Sequence, residues 1–302
     1  MRLENYCRFS EKELLAYLST KKNAVYKDDY VFINNNAKVL AVCHADVSPL
    51  IEPYRDFVSY KSVTGQSIVM SPALDDRLGC WLLLEMMKDI KMDILITTGE
   101  ETGQSSAKKF HHDGDERYIW LVEFDRRGSD VVTYDFHNEE MLVEIEAAGF
   151  KMGLGSFSDI CTMDKLGVAA FNVGIGYHQE HTRGCWASLG ETFRQLKKFR
   201  KFYFRNCETE FLNEATSNWW ERDYEWESPD DEWLYASGNK ERDERLRIVD
   251  KKEREERLRA IKSDEEYLSR FSLGNTYKSG YRTNYSCKYA NKNKGLLKVG
   301  LI

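Results

Sequence analysis

The sequence predicts an α/β protein: a three-layer α/β/α sandwich around a mixed, mostly parallel sheet, followed by a charged, mainly helical C-terminal extension. Three observations lead there. Short β-rich apolar runs alternate with helical stretches, the pattern of a parallel sheet covered by helices. Two β-rich runs near the start flank the turn Asn34-Asn35-Asn36 and read as a hairpin or two neighbouring strands, which makes the sheet mixed. After about residue 206 apolar periodicity gives way to dense charge.

Each element follows from local chemistry. Ser10 with Glu13 forms a capping box ahead of LLAYL, which predicts a short N-terminal helix. AVYKDDYVFI and KVLAVCHAD are the two β-rich runs, and a short irregular or β stretch reaches about Met70. RLGCWLLLEMMKDI is an apolar helix and MDILITTG a buried strand. SSAKKF is a short helix, and YIWLVEF and DVVTYDF are strands. NEEMLVEIEAAGF is helical, SDICTMDKLG a helix or turn, and VAAFNVGIG again a strand.

The 302 residues carry a net charge of -6, enough chain for one large domain, or a domain plus an extension. The N-terminus has no apolar signal-peptide core, and no run approaches the roughly 18 apolar residues of a membrane helix. Seven cysteines show no paired spacing, so free thiols in a reducing cytoplasm are expected, with no membrane partner.

Five stretches end strands or open helices with metal-ligand chemistry. In VLAVCHAD, His44 and Asp46 are two apart and project to one face. In SPALDDRLG, Asp75 and Asp76 precede an apolar helix, where one acid would suffice as a cap. In TTGEETG, Glu100 and Glu101 are adjacent carboxylates whose repulsion is costly unless something offsets it. Asp125 follows YIWLVEF, and His181 lies past VAAFNVGIG with His178 as a competitor. Each alone has an ordinary reading as a strand-end, capping or turn residue. His111 and His112 follow a helix, where adjacent residues do not share a face, and read as exposed.

Taken in order, His-x-Asp, Asp, Glu-Glu, Asp, His, with the stretches ALDDRLG and TTGEETG, the chain resembles the zinc-dependent exopeptidase superfamily from about Lys38 to Thr182. The resemblance implies two zinc ions per chain, with Co or Mn as substitutes. It implies that Asp75 bridges them, that His44 and Asp125 complete one site, and that Glu101 and His181 complete the other. It makes Glu100 the general base and leaves Asp46 to orient His44. His181 is preferred over His178 because Thr182 follows it. Asp76 would cap the helix or support the site. Ser158 and Asp159 are either supporting or substrate-contacting groups, or a plain helix cap. Cys185 stands where the family often has an acid, and reads as a buried free thiol. The short interval from His44 to Asp75 leaves no room for an inserted dimerisation domain, and no lid domain follows Asp125.

The resemblance implies hydrolysis of a peptide, as an aminopeptidase. A deacylase or carboxypeptidase acting on an acylated amino acid is the alternative, because Arg77, Arg126 and Arg127 lie near the motifs. A non-catalytic binding module is a third. Residues 1–206 form the expected catalytic domain and 207–302 the extension. The extension combines an acidic Trp-rich stretch, a charged helix and a basic tail with Tyr281, Tyr285 and Tyr289. A basic tail docking on the acidic stretch is simpler than a nucleic-acid partner, which is not expected.

Overall fold

The computed structural model describes residues 1–27, 29–110, 118–134, 136 and 138–214. The readings of His111, His112 and the extension past residue 214 lie outside the described residues.

Two helices open the chain: α1 (Leu3–Arg8) and α2 (Glu11–Ser19). Helix α2 starts at the capping box, with Ser10 Oγ accepting from Glu13 N and the Glu13 carboxylate returning to Ser10 N. The run AVYKDDYVFI is itself a hairpin of β1 (Ala24–Lys27) and β2 (Tyr30–Ile33), reversing at Asp29 in a left-handed conformation. The expected pairing of this run with KVLAVCHAD does not form. Strand β3 (Val39–His44) instead lies two places away, with β6 (Asp93–Thr97) between them. The loop through Asn34–Asn36 steps across the start of β6, held by the Asp93 carboxylate, which accepts from Asn35 N at 2.7 Å and Ala37 N at 3.1 Å.

The main sheet is completed by β7 (Trp120–Arg126), β8 (Val131–Val132) and β9 (Ala170–Gly174), in the order β1-β2-β6-β3-β7-β9-β8. Its four central strands are parallel and both edges are antiparallel. Thus the sheet is mixed as expected, with parallel pairing confined to its middle.

One face of this sheet packs α1, α2, α3 (Leu74–Trp81), α4 (Glu139–Ala147) and α5 (Leu189–Asn206). Helix α3 runs on into a π-turn, Leu82–Met86. Trp120 is fully buried on this face, with Phe171, Phe199, Phe202 and Tyr203 around its ring. The opposite face holds a smaller core of Leu40, Val42, Leu95 and Leu121, covered among the described residues by 3-10 turns at Ser106–Lys109, Asp159–Thr162 and Asp164–Leu166. That layer is therefore thinner than a row of α-helices.

A second sheet joins β4 (Val58–Lys61), β5 (Ser67–Met70), β10 (Tyr177–His178) and β11 (Trp186–Ser188), in the order β10-β11-β5-β4. Its short hairpin of β4 and β5 occupies the interval between His44 and Asp75. Among the described residues no helix is long and apolar enough to cross a membrane. Cys7, Cys43, Cys80, Cys161 and Cys185 are free and buried. Cys207 is disulfide-bonded, which departs from the expectation that every thiol is free.

Candidate metal centre

The thinner face of the sheet changes chemistry along its strands. Side chains two apart share a face, so Leu40 and Val42 lead to His44, Leu95 to Thr97, and Leu121 to Glu123 and Asp125. Apolar residues fill the start of each strand and polar residues its carboxyl end. Beyond that edge an open α/β sheet places its ligand.

The loops after the strands bring further carboxylates to this edge. TTGEETG forms a 3-10 turn, Glu100–Thr102, between Gly99 and Gly103, both left-handed. A Cβ at Gly99 would lie 2.7 Å from the Gln104 carbonyl oxygen, so the tight return needs glycine. In ALDDRLG the Asp75-Asp76 peptide is cis. The two carboxylates have different partners. Asp76 turns inward, accepting from Gly79 N at 2.9 Å and His44 N at 3.4 Å, so it joins the start of α3 to the end of β3. Gly79 permits this approach: a Cβ there would clash with the Asp76 carboxylate and with Phe124 O.

Asp75 turns outward. Its Oδ1 lies 3.4 Å from His44 Nε2 and its Oδ2 lies 3.2 Å from His181 Nε2. His44 Nε2 is also 3.2 Å from Asp125 Oδ1. His181 Nε2 is 2.9 Å from Glu101 Oε2. One carboxylate therefore offers an oxygen to each of two His-carboxylate sets. Donor atoms of His44, Asp75 and Glu101 lie within 4.8 Å of one another, and so do those of His44, Glu100 and Asp125. Glu100 Oε2 is 4.0 Å from His44 Nε2.

Asp46 ties the set together from behind. Its Oδ1 approaches His44 Nδ1 at 3.4 Å, its backbone oxygen lies 3.1 Å from the same nitrogen, and its Oδ2 accepts from Glu101 N at 3.1 Å. An imidazole fixed through one nitrogen presents the other outward.

The electrostatics are those of crowded carboxylates. Burial, with Asp125 beside it, pushes Glu100 up to about 9. Burial likewise pushes Asp125 up to about 8, against the opposing pull of His44. His44 is held well above its ordinary value, because Asp125, Asp46 and Asp75 outweigh a burial that alone would lower it. Bonds to Asp75 and Glu101 raise His181 to about 10. Asp75 is lowered despite its burial, by His181 and His44. So many acids around two imidazoles call for added positive charge.

The donors fit a divalent ion such as zinc. Zinc bonds of about 2.0–2.1 Å in a tetrahedron imply donor-donor edges of about 3.3–3.4 Å, against the 2.9–3.4 Å separations of these two sets. Glu101 Oε1 is buried with no hydrogen-bond partner among the described residues, as a carboxylate awaiting a cation would be.

The remaining sequence candidates lie elsewhere. His178 stacks on Trp186 at 4.5 Å and bonds Glu191 at 3.3 Å. Ser158 and Asp159 are buried, which removes them from substrate contact: Ser158 Oγ donates to Glu123, and Thr97 Oγ1 donates to Asp159. Cys185 is buried and free. Arg126 is clamped by Asp130 at 2.8 Å through two nitrogens, and Arg127 pairs with Glu180. Arg77 is fully buried, and its guanidinium makes no hydrogen bond among the described residues. Two residues at this edge escape sequence reasoning. Glu123 reads as the polar member of an alternating strand, and Tyr177 as a core aromatic.

Residues 45–135 match the sequence profile of the M42 glutamyl aminopeptidase family. In structure, 66% of the chain superposes on 95% of aminopeptidase PepT from Bacillus cereus, with a TM-score of 0.52 at 11% identity. The chain therefore shares the fold of this aminopeptidase. PhTET1-12s, a dodecamer, gives a TM-score of 0.50 at 12% identity, with 66% of this chain and 97% of that one covered. No curated protein sequence matches.

Proposed function

We propose that this chain is a di-zinc aminopeptidase that removes N-terminal residues from peptides. The observation that carries the reading is Asp75, whose two oxygens face two separate His-carboxylate sets at 3.4 and 3.2 Å. His44 and Asp125 would hold one ion, and His181 and Glu101 the other. The donor set also accepts Co or Mn. Bound there, two divalent ions supply an acidified water and an electrophile for the scissile carbonyl. Asp46 fixes the His44 ring. Glu100 borders the site without being needed as a ligand, so its carboxylate takes the proton of the attacking water and returns it to the leaving amine.

The arginines favour an aminopeptidase over a carboxypeptidase. Arg126 and Arg127 are engaged by Asp130 and Glu180, and Arg77 is buried, so none of the three is free to bind a substrate carboxylate. Residues 1–206 would be the catalytic unit and 207–302 an appended segment. Five buried free thiols favour a reducing, cytoplasmic compartment, and the Cys207 disulfide weighs against it.

The test is a panel of aminoacyl arylamides and N-acyl amino acids, with wild type and Glu100→Gln, before and after chelation. Release of arylamine that chelator and Glu100→Gln both abolish supports the proposal. Hydrolysis of N-acyl amino acids alone would replace it with a deacylase.

A further inference from the structure

We infer that Tyr177 supplies the fourth donor of the His44–Asp75–Asp125 site through its phenol oxygen, an inference that rests on the metallopeptidase reading above. Tyr177 is buried, and its Oη lies 3.2 Å from Asp75 Oδ1 and 3.2 Å from Asp125 Oδ1. The same two carboxylate oxygens lie 3.4 and 3.2 Å from His44 Nε2. These four separations are each close to the edge of about 3.3 Å of a zinc tetrahedron.

Hydrogen bonding alone explains the arrangement poorly. A phenol has one proton, and ionised carboxylates only accept. Once both acids are ionised, as coordination of a cation requires, donation to one leaves the phenol lone pairs facing the other inside a buried site. Both contacts are also long for an O–H···O bond, which centres near 2.7–2.8 Å. A cation among the four atoms turns facing lone pairs into shared coordination.

The backbone holds Tyr177 in place for this task. Its carbonyl accepts from Gly128 N at 2.9 Å, and it pairs with Ala187 across β10 and β11. The ring is therefore fixed from a sheet rather than from a loop.

The two sites then differ in kind. The His44 site has four protein donors and is buried, which makes it closed. The His181 site has three protein donors, and His181 is 51% exposed, which leaves a position open for water or substrate. One ion would be held tightly and the other would exchange.

The experiment titrates zinc into the chelator-stripped full-length protein, followed by calorimetry and by ultraviolet difference absorption of tyrosine. The expected result is two affinities, with a tyrosine perturbation that accompanies the tighter phase. Tyr177→Phe keeps the ring packing, loses the perturbation and weakens the tighter phase by at least about tenfold. Tyr134→Phe keeps both, although Tyr134 is a tyrosine near the site whose oxygen accepts from Asn172 Nδ2 at 3.4 Å. Tight zinc binding by wild type with no tyrosine signal overturns the assignment and leaves the metallopeptidase reading standing. So does unchanged affinity in Tyr177→Phe, or loss of the signal in Tyr134→Phe. Failure of the wild type to bind zinc overturns both.

Discussion

Replacing Glu100 with Gln should move activity and stability in opposite directions. Glu100 is largely buried among acids, and its carboxyl is pushed from 4.5 to about 9 in the metal-free protein. Folding at pH 7 then requires it to take up a proton. Each pKa unit between 4.5 and the working pH is worth about 1.36 kcal/mol, so the cost at pH 7 approaches a ceiling of about 3 kcal/mol. The folded value lies above the unfolded one, so the cost is absent below about pH 4.5 and grows with pH until about pH 9. Gln is isosteric and does not titrate. The metal-free variant should therefore match wild type near pH 4.5 and exceed it progressively above, while peptide hydrolysis falls by about 10²–10⁴-fold. The assay is urea unfolding of the chelated proteins at pH 5, 7 and 8, beside turnover of the reloaded ones. A stability gain that is equal at all three pH values would refute the charge argument. Unaltered turnover would refute the base.

Three further outcomes follow from the same geometry. Asp75→Asn replaces one oxygen of the shared carboxylate with an amide NH2 that has no lone pair to give, so elemental analysis should find one ion or none; two retained ions would contradict the bridge. His181 holds a proton at neutral pH in the metal-free protein, and the adjacent His44–Asp125 pair shares at least one, so metal uptake should release protons and its affinity should rise with pH. Calorimetry in buffers of different ionisation enthalpy measures that release, and a pH-independent affinity would count against it. Trp120→Ala, at the centre of the five-ring cluster, should cost about 3–5 kcal/mol in chemical denaturation without changing the metal count of the folded fraction.

What the sequence made legible is whatever depends on short range. The Ser10–Glu13 capping box, the strand VLAVCHAD and the buried strand in MDILITTG are local features, and each forms where its residues stand. The candidate ligands were legible because each ends a strand or opens a helix. Their resemblance to a known order supplied the pairing that spacing alone leaves open. Strand pairing was not legible. The hairpin within AVYKDDYVFI depends on Asp29 adopting a left-handed turn, and the separation of β2 from β3 depends on β6, some sixty residues later, entering between them. Tyr177 escaped notice because an aromatic at a strand end ordinarily fills a core. Only the fold shows its hydroxyl between two carboxylates. Arg77 looked available to a substrate from its position after Asp75-Asp76, yet the helix phase of α3 turns it inward.

Metal stoichiometry tests the central claim most directly. Elemental analysis of the purified chain, repeated after chelation and reconstitution with zinc, should give about two ions per chain. Reconstitution should also restore the hydrolysis that chelation removes. A chain that retains no metal after reconstitution, while remaining folded, would contradict the account and leave the fold as a binding module.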